Sequence, residues 1–331
     1  MRFKSSYLGI IGILVLIYLI SKAGVYNLLD AIKNINLIWV VPVLLFSVIT
    51  ILINAMRWKY ITNTMGISLS AKDAFSMTFK AMFAENSPGK MGEIFVRANY
   101  LKKKTKISLG RALFSTTFSR FVDLWVTAME AIIAIIFVVF LYGVKASVII
   151  PSLVLLLAII IFFIILKNEK LVRIGVKTLY KFVIPKNKTA LSGDNSEKAR
   201  QTFDEFYGGF KNIGIRAIVV SFLYDLIALV TAALGLYFTG LALGINFPLY
   251  LAILAEPLMT VAVSLPISFS GLGAREGVFA YLFSLINIPL EKAIIFSLTI
   301  FILRNILSLI GVIMIFFDKK GEDQIVPGNA V

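Results

Sequence analysis

The sequence contains no cysteine and no histidine in 331 residues. The first absence rules out a disulfide framework, and the two together rule out a Cys/His metal site. A Ser-His-Asp triad and histidine general-base chemistry are excluded as well. Any catalysis would fall to carboxylates, hydroxyls, lysine or arginine. No nucleotide-binding motif is present, and no cofactor or metal is expected. Charge is also scarce, at 15% of residues, where soluble domains carry about 25%.

What the chain has in abundance is apolar sequence, at 59% hydrophobic residues and a mean hydropathy of +0.91. The charges are crowded into a few places. Between them lie runs close to the roughly twenty residues a helix needs to cross a bilayer. Leu37 to Met56 and Ser147 to Leu166 hold no charge at all. The expected fold class is all-α, a polytopic helical membrane bundle of about eight spans, with spans near 6–23, 37–56, 111–142, 147–166, 215–240, 249–265, 276–288 and 293–317. The first resembles a signal peptide, but Ser21-Lys22-Ala23-Gly24 is a poor cleavage site, so it reads as a retained span. The 111–142 segment is too long for one straight crossing and is expected to begin outside the lipid.

The net charge of +15 would point to nucleic acid in a soluble protein. Here it reads as cytoplasmic loops obeying the positive-inside rule, with no nucleic-acid partner. Arg2 and Lys4, Arg57 and Lys59, Lys102 to Lys104 with Lys106, and Lys319 with Lys320 fall on one side. The loop 167–213 falls there too, with ten Lys or Arg against five acids. The consistent solution is a cell-membrane protein with both termini cytoplasmic. Within the loop, Leu171, Ile174, Thr178 and Phe182 recur at helical spacing among lysines and an arginine. That pattern fits a basic amphipathic helix on an anionic leaflet or, equally, a solvated linker helix. Residues 1–320 read as one transmembrane domain and 321–331 as a flexible tail.

Two segments are not plain spans. In the first, an apolar stretch from Ala74 to Ala84 is too short to cross, Pro88 and Gly89 break it, and a second short helix carries Glu93 and Arg97. In the second, an apolar helix ends at Pro266, Gly271 and Gly273, and Arg275 and Glu276 open the next helix. Helix, breaker, helix is the pattern of a re-entrant hairpin, tolerated at membrane depth only where protein or a water-filled cavity covers the backbone. Glu93 is followed 27 residues later by Arg120, and Glu276 is followed 28 residues later by Arg304. Both arginines lie inside a predicted span. The halves 37–142 and 215–317 share this order, and the charge pattern gives them opposite orientations, as in an inverted repeat.

A half-helix that ends inside the membrane aims unpaired N–H groups and a positive dipole end inward, which favours an anion. Glycines at Gly89, Gly92, Gly271 and Gly273 let a head group approach the backbone, and arginine supplies a planar fork suited to phosphate. Arg120 and Asp123 are three apart and Glu93 and Arg97 four apart, both pairing distances on a helix. Glu130 continues the Arg120–Asp123 face. Each pair reads either as part of a head-group site or as a structural or surface ion pair. Asp225 and Glu256 are lone intramembrane acids, and Glu256-Pro257 can equally mark a kink.

Asn86-Ser87-Pro88-Gly89-Lys90-Met91-Gly92-Glu93, the Arg120-Phe121-Val122-Asp123 stretch and Gly271-Leu272-Gly273-Ala274-Arg275-Glu276 together resemble the membrane domain of lysylphosphatidylglycerol synthases and their stand-alone, flippase-like relatives. The resemblance spans nearly the whole chain. It implies lipid translocation. The residues expected to bind the substrate are Asn86, Gly89, Gly92, Glu93, Arg97, Arg120, Asp123, Gly271, Gly273, Arg275, Glu276 and Arg304, with no catalytic ones. Two-domain members carry a soluble synthase domain after the membrane domain. Here eleven residues follow Lys320, so lipid aminoacylation is not expected. The expected partner is a membrane lipid with an anionic or phosphate-bearing head group, an isoprenoid-linked one included. Two other readings stay open: an intramembrane enzyme acting on a lipid phosphate, and an accessory subunit that docks a membrane-associated synthase or glycosyltransferase.

Overall fold

The computed structural model describes residues 33–87, 90–143, 214–264 and 271–323, together with residue 26 and residues 201, 204–206 and 208. The spans near 6–23 and 147–166, the loop helix around 171–182, Pro88, Gly89 and the tail beyond 323 lie outside the described residues. The described residues form helices and turns only.

Among the described residues, four helices are long and apolar enough to cross a membrane. They are α1 (Leu37–Thr64), α4 (Leu109–Tyr142), α5 (Ile215–Ala242) and α8 (Leu290–Asp323). Between the first two lies a hairpin of two short helices, α2 (Ala71–Ala81), extended by a 3-10 turn at Met82–Asn86, and α3 (Met91–Thr105). Between the last two lies a second hairpin, α6 (Leu249–Ser264) and α7 (Ala274–Ser284). The segment 276–288 is therefore the second arm of a hairpin. Its helix has 11 residues and is about 16 Å long, half a bilayer core. It stops because Asn287 takes a left-handed backbone (φ 57°) and Pro289 sets up the next helix. By contrast α4 is one continuous helix of 34 residues, about 51 Å at 1.5 Å per residue.

Local chemistry sets the boundaries. The Asn36 side chain accepts from the Ile38 amide at 3.1 Å, Ser70 caps α2 by accepting from the Asp73 amide at 3.1 Å, and Ser108 caps α4. These are the acceptors that orphan N–H groups at a helix start require. Gly143 ends α4 in the left-handed conformation.

The longest contact is between α1 and α5, which run antiparallel. The Asn36 amide donates to the Ala242 carbonyl at 2.9 Å at one end, and Thr50 and Thr231 share a hydrogen bond of 2.8 Å midway. The hairpins enter from opposite ends of this pair. At the base of the first, Lys104 meets Asp73 at 3.1 Å and Arg111, at the start of α4, donates to the Met65 carbonyl at 3.0 Å. The base of the second lies at the far end of α4, where Tyr142 and Tyr250 share a hydrogen bond of 2.8 Å. Each hairpin packs across to the other half, α2 on α8 and α6 on α4. Each also packs on its own neighbours, α3 on α4 and α7 on α8.

Polarity is arranged inside out. Ile38, Phe140, Ile215 and Ile313 are exposed, while Arg57, Asp225 and Glu276 are buried. An apolar exterior and a polar interior suit lipid as the surrounding solvent. Behind the second hairpin, Phe279 and Phe296 meet with ring centroids 4.8 Å apart, and Phe247 and Phe283 complete the cluster. The α2–α8 crossing is tightest at Gly311, where an added Cβ would lie 2.0 Å from the Phe79 carbonyl oxygen. Gly311→Val is therefore expected to destabilise the fold by about 1–3 kcal/mol through overpacking. The check is the thermal unfolding midpoint of purified protein in detergent, where an unchanged midpoint would contradict the close crossing.

Candidate functional site

A cavity of about 200 Å³ lies between the two hairpins and α1, α4, α5 and α8. Five cationic side chains line it, Arg57, Lys90, Arg97, Arg120 and Arg304, with six acids, Glu85, Glu93, Asp123, Glu130, Asp225 and Glu256. An ion held in a low dielectric is costly unless paired and hydrogen-bonded, and most of these groups are paired.

The first hairpin supplies the tip of the site. Arg97 donates to Glu93 at 2.7 Å and to Thr78 at 2.9 Å, which fastens α3 to α2. Its guanidinium lies 4.3 Å from the Trp58 ring centroid, a cation–π contact that adds α1 to the joint. At the turn, Gly92 has no room for a side chain: an added Cβ would lie 2.6 Å from the Ala84 carbonyl oxygen. Its amide donates to Ser87 Oγ at 2.7 Å, and Ser87 donates to Ala84 at 2.8 Å. Together they close the tip of the hairpin.

Lys90 opens α3 in the left-handed conformation (φ 57°, ψ 24°). That backbone costs a non-glycine residue on the order of 1–2 kcal/mol. In the second hairpin the residue opening α7 is Gly273, at φ 87°. Both positions stand three before a glutamate at the third helical residue, Glu93 and Glu276.

The arginines of the closing spans cross between halves. Arg120 of α4 pairs with Asp123 one turn on and donates to Ser264, the last residue of α6, at 2.8 Å. Arg304 of α8 pairs with Glu85 at the first hairpin's tip. Beside it, Asn86 donates to Asn305 at 2.8 Å. Arg57 is a further bridge, donating to Asp123 at 3.1 Å and pairing with Asp225 of α5. It is 4% exposed. Because α1 continues to Thr64, Arg57 is an interior bridge and not a loop charge.

Arg275 and Glu276 stand apart. Arg275 donates to Ser297 at 2.7 Å and to Glu276 at 2.8 Å, and Ser297 donates to Glu276 at 2.7 Å. Glu276 also accepts from the Gly273 amide at 2.6 Å and is fully buried. This closed knot joins α7 to α8, and neither residue lines the cavity. Gly271 takes φ 71°, and an added Cβ there would lie 2.6 Å from Val263, so it serves the turn. Gly89 lies outside the described residues.

Of the residues singled out from sequence, Glu93, Arg97, Arg120, Asp123 and Arg304 meet at the cavity, while Asn86, bonded to Asn305, does not line it. Glu85, Lys90 and Arg57 were not selected, although Glu85 and Lys90 are charges flanking a membrane-depth breaker. Glu130 and Glu256 face the cavity without a cationic partner among the described residues. Glu256 accepts from Thr260 at 2.9 Å, and Glu130 Oε1 is buried without a hydrogen bond there. From the Arg120–Ser264 contact, Glu130 lies about 15 Å along α4 and Glu256 about 12 Å along α6 at 1.5 Å per residue. The cavity thus has a cation-rich floor at the first hairpin's tip and an acidic wall toward the second hairpin's base.

The sequence has relatives among known proteins. The UPF0104 membrane protein MJ1595 of Methanocaldococcus jannaschii is similar, 26% identical over 96% of this chain and 97% of its own length. The family model of the lysylphosphatidylglycerol synthase TM region matches residues 7–311. With its apolar helices and that match, the chain is an integral membrane protein that belongs to the family of the lysylphosphatidylglycerol synthase transmembrane region.

Proposed function

We propose that this protein is a lipid transporter that moves an anionic or phosphate-bearing lipid, isoprenoid-linked lipids included, between the leaflets of the cell membrane. The observation that carries the reading is the polar cavity whose floor gathers five cations among its acids, bounded by two hairpins that enter from opposite ends and tied by Arg120 and Arg304. Arginine forks suit phosphate oxygens, and a polar cavity inside an apolar bundle gives a head group a route that bare hydrocarbon denies it.

The packing also supports reading 37–142 and 215–317 as an inverted repeat. Under an exchange of halves, α4–α6 maps onto α8–α2, α3–α4 onto α7–α8 and α1–α2 onto α5–α6, while α1–α5 maps onto itself. Arg120 and Arg304 map onto each other, each bonded to the other half's hairpin. In such folds, rocking one repeat against the other around a midplane site alternates access. Here that motion would release Arg304 from Glu85 and one nitrogen of Arg120 from Ser264, while Asp123 stays on the other, and would leave those freed groups for the head group. Without a nucleotide-binding motif, transport runs downhill or is coupled to an ion. Lys102, Lys103 and Lys104 stand at the open end of the first hairpin, which supports reading that end, and with it both termini, as cytoplasmic under the positive-inside rule. The basic loop 167–213 is the surface on which a membrane-associated synthase or glycosyltransferase would dock.

Two outcomes test the reading. In proteoliposomes, wild type is expected to exchange a fluorescent phospholipid between leaflets, and Arg304→Ala or Arg120→Ala to slow that exchange at least tenfold. Either variant scrambling at the wild-type rate would sink the proposal. Arg275→Met is expected to behave differently, because its partners are Glu276 and Ser297. It should lower the thermal midpoint, since breaking one partner of a buried pair costs about 3–5 kcal/mol. The fraction that stays folded should still transport; a full-stability variant that cannot transport would place Arg275 in the site.

A further inference from the structure

Among the cavity's cations, Lys90 is the one whose placement the fold does not explain. It is 9% exposed and lines the cavity, yet its ammonium makes no hydrogen bond among the described residues. Its nearest carboxylate oxygen, Glu85 Oε2, is 3.9 Å away, beyond hydrogen-bond reach, and Arg304 already holds that oxygen. The other four cations each donate at least one hydrogen bond to a carboxylate: Arg57 to Asp123, Arg97 to Glu93, Arg120 to Asp123 and Arg304 to Glu85.

The backbone makes the choice of lysine more telling. At the matching position in the second hairpin the chain uses Gly273 at φ 87° and ψ −46°, also at positive φ but outside the left-handed region, and glycine is the residue that positive φ favours in general. At φ 57° the first hairpin keeps a lysine in spite of the strain. Strain retained where a simpler residue would do points to function. The lysine also sits at the start of the 15-residue α3, whose dipole favours negative charge at that end. Glu93 is already taken up by Arg97, so it does not satisfy the ammonium.

We propose that Lys90 is a head-group contact of this protein, binding a phosphate oxyanion of a lipid at the tip of the first hairpin, and that the described residues of the second hairpin carry no equivalent contact. The inference rests on the transport reading above and deepens it. The bound phosphate supplies the acceptor that Lys90 Nζ lacks, with Arg120 and Arg304 within the same floor. The second hairpin, with glycine at the matching position and its arginine consumed by Glu276 and Ser297, is a structural counterpart that moves around the site.

The test is calorimetric titration of the purified full chain in detergent with three probes: dodecyl phosphate, inorganic phosphate and dodecyltrimethylammonium. Wild type is expected to bind dodecyl phosphate and to prefer it over both others. Lys90→Gly removes the ammonium and suits the left-handed backbone, so its thermal midpoint should equal or exceed wild type. Its affinity for dodecyl phosphate should fall roughly ten- to hundredfold, the loss of one charge-assisted hydrogen bond. Lys90→Gln should lose as much, and Lys90→Arg should stay within a few-fold of wild type. Should Lys90→Gly fail to fold, the Gln and Arg pair decides the matter.

If the Gly and Gln variants bind as wild type does while Arg304→Ala does not bind, the Lys90 assignment is overturned and the transport reading stands. If Lys90, Arg120 and Arg304 variants all bind like wild type, or the ammonium probe binds best, both are overturned. Equal affinity for inorganic and dodecyl phosphate would assign the site to free phosphate and overturn the lipid source.

Discussion

The constraint on which this structure depends is that a helix ending inside a bilayer leaves backbone groups that hydrocarbon cannot satisfy. Two hairpins stop halfway, and the rest of the molecule covers their ends. The tip of the first is closed by its own Ser87 and Gly92 and by Glu85 and Asn86 reaching α8. The last residue of α6 is met by Arg120 from α4. The long helices are therefore more than a frame around the hairpins, because their interior polar residues are the partners that make half-length helices tolerable at that depth.

The same solution creates a place for chemistry. Charges gathered at the tips must be paired with one another or wetted by a cavity, and this protein does both. Arg57 joins α1, α4 and α5 through Asp123 and Asp225, so the floor of the cavity is also a joint of the fold. Groups that hold a structure together and groups that hold a ligand are usually separable. Arg120 and Arg304 hold this fold together, and under the proposed function the same guanidinium groups would also meet an anion. Arg275 and Glu276 show the other outcome of a buried pair. Saturated by Ser297 and the Gly273 amide, they retain nothing to offer.

Much of this was legible in the sequence, for identifiable reasons. Pro88-Gly89 and the glycines around 271–273 interrupt apolar stretches too short to cross, so helix, breaker, helix could be read directly. Three- and four-residue spacing found the Arg120–Asp123 and Glu93–Arg97 pairs because those pairings are local to one helix. What escaped depends on tertiary placement. Arg57 looked like a loop charge because the uncharged run ends at Met56, whereas Trp58, Ile61 and Thr62 continue as a buried helical face. Arg275 and Arg304 looked alike, each an arginine at membrane depth, and only the position of Ser297 separates them. The segment 276–288 has the composition of a span, but it takes a left-handed Asn287 to turn it back. Lys90 was visible as a charge, but its backbone angle, which marks it out, is not written in residue types.

One feature reaches beyond the site. Arg120 and Arg304 each finish a hairpin that belongs to the other end of the chain. Neither 37–142 nor 215–317 contains all the partners its own half-length helices use, so neither is a self-sufficient folding unit. During synthesis Glu85 has only the Lys90 ammonium of its own hairpin, 3.9 Å away, until α8 is made some two hundred residues later, the separation between Glu85 and Arg304 being 219 positions. The first hairpin's tip thus has its full set of polar partners only once the last helix is in place.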